Sequence, residues 1–270
     1  MKQAISMFFI LLFLAPVHTA AEDPAGLYET VKEYLPPEAE LIKPNEPKKA
    51  SSIQSYDFDK DGIDEIVVTF RIKDTLKTLN IMLLKQENNS WRAVWEKAGE
   101  GFDFEYSGFE DITGDGTKEY VASWGIGASA GSRLEIFQWQ NGSFNQIGRS
   151  LFYHEMELIQ EGQGTSLAIW ERYCCDAFIV DVLKWNGKEL VTDETTYSKY
   201  YQKVEDFYET KLKEMDAWYY WFVLADAQLK AGLLEKAEAS IKKGYSFGLA
   251  EEEFNSLRKQ LEEQKAALLK

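Results

Sequence analysis

The sequence predicts an α+β chain: a propeller-like stack of about three antiparallel β blades followed by a small α-helical subdomain. Three observations carry that reading. A unit of acidic turn, strands and Asn-Gly-type hairpin recurs at roughly 46 to 54 residues, a period that suits one sheet per unit. Near Tyr197 the hydrophobic period changes from about 2 to about 3.6, the mark of strands giving way to helices. The 270 residues are 45% hydrophobic and 14% aromatic, enough large side chains for more than one core. That length, at roughly 150 residues per domain, suggests about two domains.

The chain opens Met1-Lys2-Gln3, continues through an apolar run from Ile5 to Val17, and passes small residues to Ala21 before the acidic Glu22-Asp23. One basic residue, a short apolar stretch and Thr19 and Ala21 framing a cut make 1–21 a signal peptide. The competing reading, a retained anchor, is disfavoured because the run falls short of the ~20 residues that span a bilayer. The expected location is therefore secreted or periplasmic, with no stable membrane insertion after cleavage. Residues 22–48 read as an N-terminal helix and linker. Acidic residues number 45 against 30 basic, a net charge of -15. Such a surface repels phosphate backbones, which excludes nucleic acid as a partner. Of two histidines, His18 lies in the signal, so His154 alone remains. A multi-histidine zinc site is excluded, and a Ser-His-Asp triad would have to run through that one residue.

Residues 49–196 form the predicted β-repeat domain. Tyr56 to Val68 (YDFDKDGIDEIVV) and Glu110 to Ala122 (EDITGDGTKEYVA) share an acidic loop with Asp-Gly at its turn, then Glu and a β-rich run. A second landmark follows each: Leu83 to Trp91 lines up with Ile136 to Phe144, and Val182 to Lys188 is a third copy. Alternating strands around Asn-Gly are the strongest short hairpin signal. In the third unit Ile159 to Gly164 keeps a turn but only one carboxylate. Three blades are fewer than usually close a propeller. Either flanking helices cover an open stack, or closure needs a partner.

The first loop places side-chain oxygens at Asp57, Asp59, Asp61 and Glu65, with the carbonyl of Ile63 as a fifth donor and Gly62 permitting the reversal. Hard oxygens at alternate residues on a tight loop suit calcium. An EF-hand is excluded, because Val68 stands where the closing Glu would be and a β-run follows. The second loop offers Asp111, Thr113, Asp115 and Glu119 with the carbonyl of Thr117; the neutral Thr113 predicts weaker binding. The competing explanation is that Asp and Gly are good turn residues. The motif DFDKDGIDEIVV resembles the FG-GAP / VCBS propeller repeat over residues 50 to 190. That resemblance implies Ca2+ as a structural cofactor and a role in adhesion or ligand binding.

Residues 197–270 read as a helical domain, with Tyr200 to Leu212 at helical spacing. Trp221, Leu224, Ala225, Gly232, Ala237 and Ile241 resemble the tetratricopeptide pattern, although Gln228 and Leu249 depart from it. A plain antiparallel helical hairpin reads equally well. Glu251 to Leu269 is an amphipathic, charged cap, and contact with the sheets is expected to be modest. Adjacent Cys174 and Cys175 either join through a strained ring or stay free. Asn88 and Asn141 head glycosylation acceptors that coincide with hairpin turns. Gly125 to Gly131 reads as a flexible blade loop. The leading expectation is an exported, non-enzymatic calcium-binding scaffold with a protein or glycan ligand. The alternatives are a secreted hydrolase acting on carbohydrate or phosphoester, or a glycan-binding module using Trp124, Trp139, Trp170 or Trp185 as platforms.

Overall fold

The computed structural model describes residues 24–73, 78–160, 162 and 164–269. The predicted signal segment 1–21 lies outside them, as do Glu161 and Gln163 of the third turn. Helix α1 (Pro24–Val31) precedes three sheets. The first holds β1 (Ala39–Leu41), β2 (Ile53–Tyr56), β3 (Glu65–Ile72), β4 (Leu79–Glu87) and β5 (Ser90–Gly99); β1 and β2 tile the same edge of β3. The second is the meander β6 (Phe104–Glu110), β7 (Glu119–Gly127), β8 (Gly131–Gln140) and β9 (Ser143–Tyr153). The third is β10 (Glu155–Gln160), β11 (Thr165–Cys174), β12 (Ala177–Trp185) and β13 (Leu190–Thr192). All pairings within the sheets are antiparallel. Helices α2 (Glu194–Glu214), α3 (Trp218–Lys230), α4 (Leu234–Tyr245) and α5 (Glu251–Leu268) follow.

Strand periodicity decides how these sheets stack. Successive side chains point to opposite faces, and the middle strands are apolar on both. On β3, Ile66, Val68 and Phe70 face α1, while Val67 faces the second sheet. On β7, Tyr120, Ala122 and Trp124 face the first sheet and Val121 faces the third. On β11, Leu167 and Ile169 face the second sheet and Ala168 and Trp170 face the helices. The result is five layers in chain order: α1, three sheets, then α2 to α5. Such near-continuous apolar strands are what burial on both faces requires. Each fully buried large apolar side chain contributes roughly 1.5–3 kcal/mol. Close packing makes demands on small residues too. A Cβ on Gly99 would lie 1.7 Å from Trp124 Nε1.

The hairpins at Asn88-Asn89 and Asn141-Gly142 have positive φ at both turn residues, as two-residue turns of this type require. The third landmark departs from that pattern. Asn186 opens a four-residue connection between β12 and β13, and its Oδ1 accepts the N–H groups of Lys188 and Glu189. The glycine-rich run is corrected as well. Gly125 and Gly127 belong to β7 and Gly131 starts β8, with a register irregularity between Gly125 and Gly127.

The expected modest contact between helices and sheets is not met. The core that contains Ala168, Trp170, Val180 and Val182 also contains Tyr197, Tyr201, Val204, Tyr208 and Tyr220. Tyrosine lets a helix fill an apolar interface and still bond across it. Phe178 N–H donates to Tyr208 Oη, and Trp170 Nε1 donates to Tyr200 Oη at 2.9 Å. Lys230 reaches across to Asp181 at 2.6 Å. Helix α2 starts at Glu194, ahead of Tyr197, because Asp193 caps it and Ser166 and Lys184 hold that carboxylate in place. Among the described residues no helix is long and apolar enough to cross a membrane.

Candidate functional site

The two acidic turns join β2 to β3 and β6 to β7, at equivalent places in two sheets. Their hydrogen bonds repeat. Asp57 Oδ2 accepts Gly62 N–H and Asp111 Oδ2 accepts Gly116 N–H, each at 3.0 Å. Asp61 Oδ1 accepts Ile63 N–H, and Asp115 Oδ1 accepts Thr117 N–H. Glu65 Oε2 accepts Phe58 N–H and Glu119 Oε2 accepts Ile112 N–H, each at 2.9 Å. Ionised carboxylates accept from backbone amides more strongly than neutral oxygens do, and a tight turn exposes several amides at once. The acidic spacing therefore builds the turns. Gly62 (φ 89°) and Gly116 (φ 82°) supply the left-handed step that brings those amides inward. Phe58 and Ile112, next to the first Asp of each turn, are buried anchors.

The turns differ at their third position. Asp59 Oδ2 in the first turn meets Lys85 Nζ at 2.5 Å. The same ammonium lies 2.8 Å from Glu65 and 3.1 Å from Asp61. In the second turn Thr113 Oγ1 donates to Glu119 Oε1 at 3.0 Å, so this hydroxyl is engaged within the protein. Gln138, the repeat counterpart of Lys85, donates to the same oxygen. An acid at the third position is matched by a lysine on the neighbouring strand, and a neutral residue by a neutral one. Lys85 carries little exposed surface, and Trp139 lies 5.5 Å from its Nζ. Burial works against its charge, but Asp59, Glu65 and Asp61 together hold the ammonium well above the ordinary lysine range. Burial raises the carboxyls of both Glu65 and Glu119, with the bonds to Lys85 and to Thr113 respectively working against it. The Ile63 N–H, followed by Lys85, lowers that of Asp61.

Asp57, Asp59 and Asp61 bring carboxylate oxygens within 4.8 Å of one another. These three could together hold a cation, beside or in place of the Lys85 ammonium; Glu65, the fourth expected carboxylate ligand, is not of the group and is bonded to Phe58 N–H and Lys85 instead. Among the described residues no comparable group forms at Asp111 and Asp115. The tryptophan platforms are largely withdrawn into cores: Trp124 and Trp170 are buried, and Trp139 and Trp185 are half-buried. Cys174 and Cys175 sit at the tip of the β11–β12 hairpin as free thiols. Burial, with Cys175 alongside, pushes the Cys174 thiol up to about 11. Sequence reasoning missed Lys85, although a lysine inside the apolar strand LNIMLLKQE was a visible signal. No known protein family matches the chain, and no curated protein matches it.

Proposed function

We propose that this is an exported, non-enzymatic binding and scaffold protein. Its sheets act as FG-GAP / VCBS-type blades, and its first acidic turn takes calcium. The observation that carries the reading is the Asp57, Asp59 and Asp61 group, set in a turn whose hydrogen bonds are repeated one sheet further on. Calcium would be held by these three carboxylates, and its role would be to brace the turn against β3. The second turn, with Thr113 and Gln138 in the neutral pairing, works without an ion. A binding role is favoured over hydrolysis because the turn carboxylates face their own backbone and Lys85, which leaves no opposed acid and base pair there. Export follows from the 1–21 segment, and the helices behind the third sheet offer a protein-facing surface.

The test is thermal melting in chelator, calcium and magnesium. A ligand that binds only the folded state stabilises by about 2.7 kcal/mol at a hundredfold excess over its Kd. Millimolar calcium should raise Tm, magnesium less, and Asp59→Ala should remove the gain. Lys85→Gln, which copies the second turn, should enlarge the gain by removing the competing ammonium. Identical curves in chelator and calcium for both wild type and Lys85→Gln would end the calcium reading.

A further inference from the structure

The far end of β7 carries a second, quite different place. Glu119 begins that strand and Gly127 ends it, about 26 Å away at strand rise. There a cavity of about 360 Å³ opens between the second and third sheets, within the size range of small-ligand sites. Glycines make the room. A Cβ on Gly125 would meet Glu105 Oε1 at 2.8 Å, and one on Gly131 would meet Tyr153 O at 2.1 Å.

The donors on its wall are under-used. His154 Nδ1 accepts the backbone N–H of Arg172, which leaves the proton of the neutral ring on Nε2. That Nε2 is shielded from solvent and lies against the Ser129 and Ala128 carbonyls, without reaching full hydrogen-bond geometry to either. Burial, then the nearby Arg172 charge, keeps His154 below its ordinary range, so the ring stays neutral. Arg172 lies 5.8 Å from the Phe178 ring and gives Nη1 to Ala128 O at 2.7 Å. Among the described residues it has no carboxylate partner. Acceptors come from both sheets: Asp103 and Glu105 from the second, Glu155 from the third. Asp103 is paired with Arg71 and Glu105 is held by Asn45, while Glu155 has no partner among the described residues.

Phe102 completes the site. Its N–H donates to Gly125 O and its carbonyl accepts from Arg71, so its backbone is fixed at both ends. Its ring is nevertheless 71% exposed. A solvent-facing phenyl ring on an anchored backbone, beside a polar cavity, offers a flat apolar face.

We propose that this cavity binds a neutral carbohydrate. Each sugar hydroxyl both donates and accepts, which matches the Arg172 guanidinium together with the Asp103, Glu105 and Glu155 carboxylates on the same wall. The apolar C–H face of a pyranose ring matches Phe102. An anion would meet those carboxylates and a chain of net charge -15, and a cation would meet Arg172. The proposal rests on the chain being a binding protein and is independent of calcium.

The experiment is saturation-transfer NMR on the full chain with maltose, cellobiose or N,N′-diacetylchitobiose. Dialanine and citrate serve as zwitterionic and anionic controls. At least one disaccharide should receive saturation, with affinity about tenfold weaker in Phe102→Ala and in Arg172→Gln. Phe102→Ala should melt with the wild type, because its ring is exposed. Silence from all three disaccharides, equal transfer in Phe102→Ala, or a response only to dialanine or citrate would each overturn the proposal. New anomeric signals from turnover would leave the site standing and remove the non-enzymatic reading instead.

Discussion

The two ends of β7 handle polar groups in opposite ways. At its start, Glu119 is buried with both carboxylate oxygens bonded to Ile112, Thr113 and Gln138. The equivalent Glu65 is bonded to Phe58 and Lys85. At its far end, His154 Nε2 falls short of full hydrogen-bond geometry and a phenyl ring faces water. Buried polar atoms without partners are costly, and His154 Nε2 is one of several among the described residues, with Trp124 Nε1 and Tyr197 Oη in the cores. The comparison teaches that the acids conspicuous in the sequence build the fold, while the open hydrogen-bonding capacity lies among residues that looked bland.

The largest effect should come from Lys85→Met. It strips the ammonium from the buried Glu65 and from Asp59, at a cost of about 3 kcal/mol in urea denaturation. Adding Asp59→Thr to Lys85→Gln, which converts the first turn to the pattern of the second, should recover most of the loss suffered by Lys85→Gln alone. If the double variant is no better than the single, the charge matching between turns is broken as an idea. Gly131→Ala tests the other end. Its φ of 70° and the closeness of Tyr153 O predict a loss of about 2–3 kcal/mol, together with loss of the cavity. Native-like stability by calorimetry would mean the hairpin moves aside.

Much of this fold was legible. The hairpins at Asn88 and Asn141 and the repeated turns follow from local chemistry, in which side chains bond to backbone a few residues away. The helices were legible from their period, and the start of α2 needed only Asp193 read as a cap. What escaped depends on distant contacts. Nothing near Lys85 in the sequence announces Asp59 and Asp61, more than twenty positions earlier. The depth of the helix–sheet contact escaped because helical spacing marks Tyr201 and Tyr208 as one apolar face without saying what covers it; with Tyr197 they share a core with β12. Gly125 to Gly131 read as slack loop because glycine is permissive; here it makes room for Glu105 and Tyr153.

Two smaller effects sharpen the comparison. Thr113→Ala removes one hydrogen bond to Glu119 and should cost about 1 kcal/mol, well below the loss from Lys85→Met. The smallest is a pH effect at the far end. Because His154 is held below its ordinary range, the unfolded chain takes up its proton first as pH falls. Stability from this residue is present above the ordinary histidine range and is lost as pH falls through it. Between about pH 7.5 and 5.5 the Tm of wild type should therefore fall more than that of His154→Gln. Parallel curves would show that the ring is not held neutral.

The layered order of α1, three sheets and α2 to α5 has a consequence for how long such a chain can be. A closed ring must contain a set number of units, because the last has to meet the first. Here no unit has that obligation: the outer face of the first sheet lies under α1, and that of the third under the helices. The count of sheets is then fixed by where the two covers occur in the gene, and stability accrues between nearest neighbours, as in a linear array. A fourth sheet inserted between the second and third would need only to offer two apolar faces, with no curvature to satisfy. The architecture is open to growth from the middle, and its ends act as stop signs.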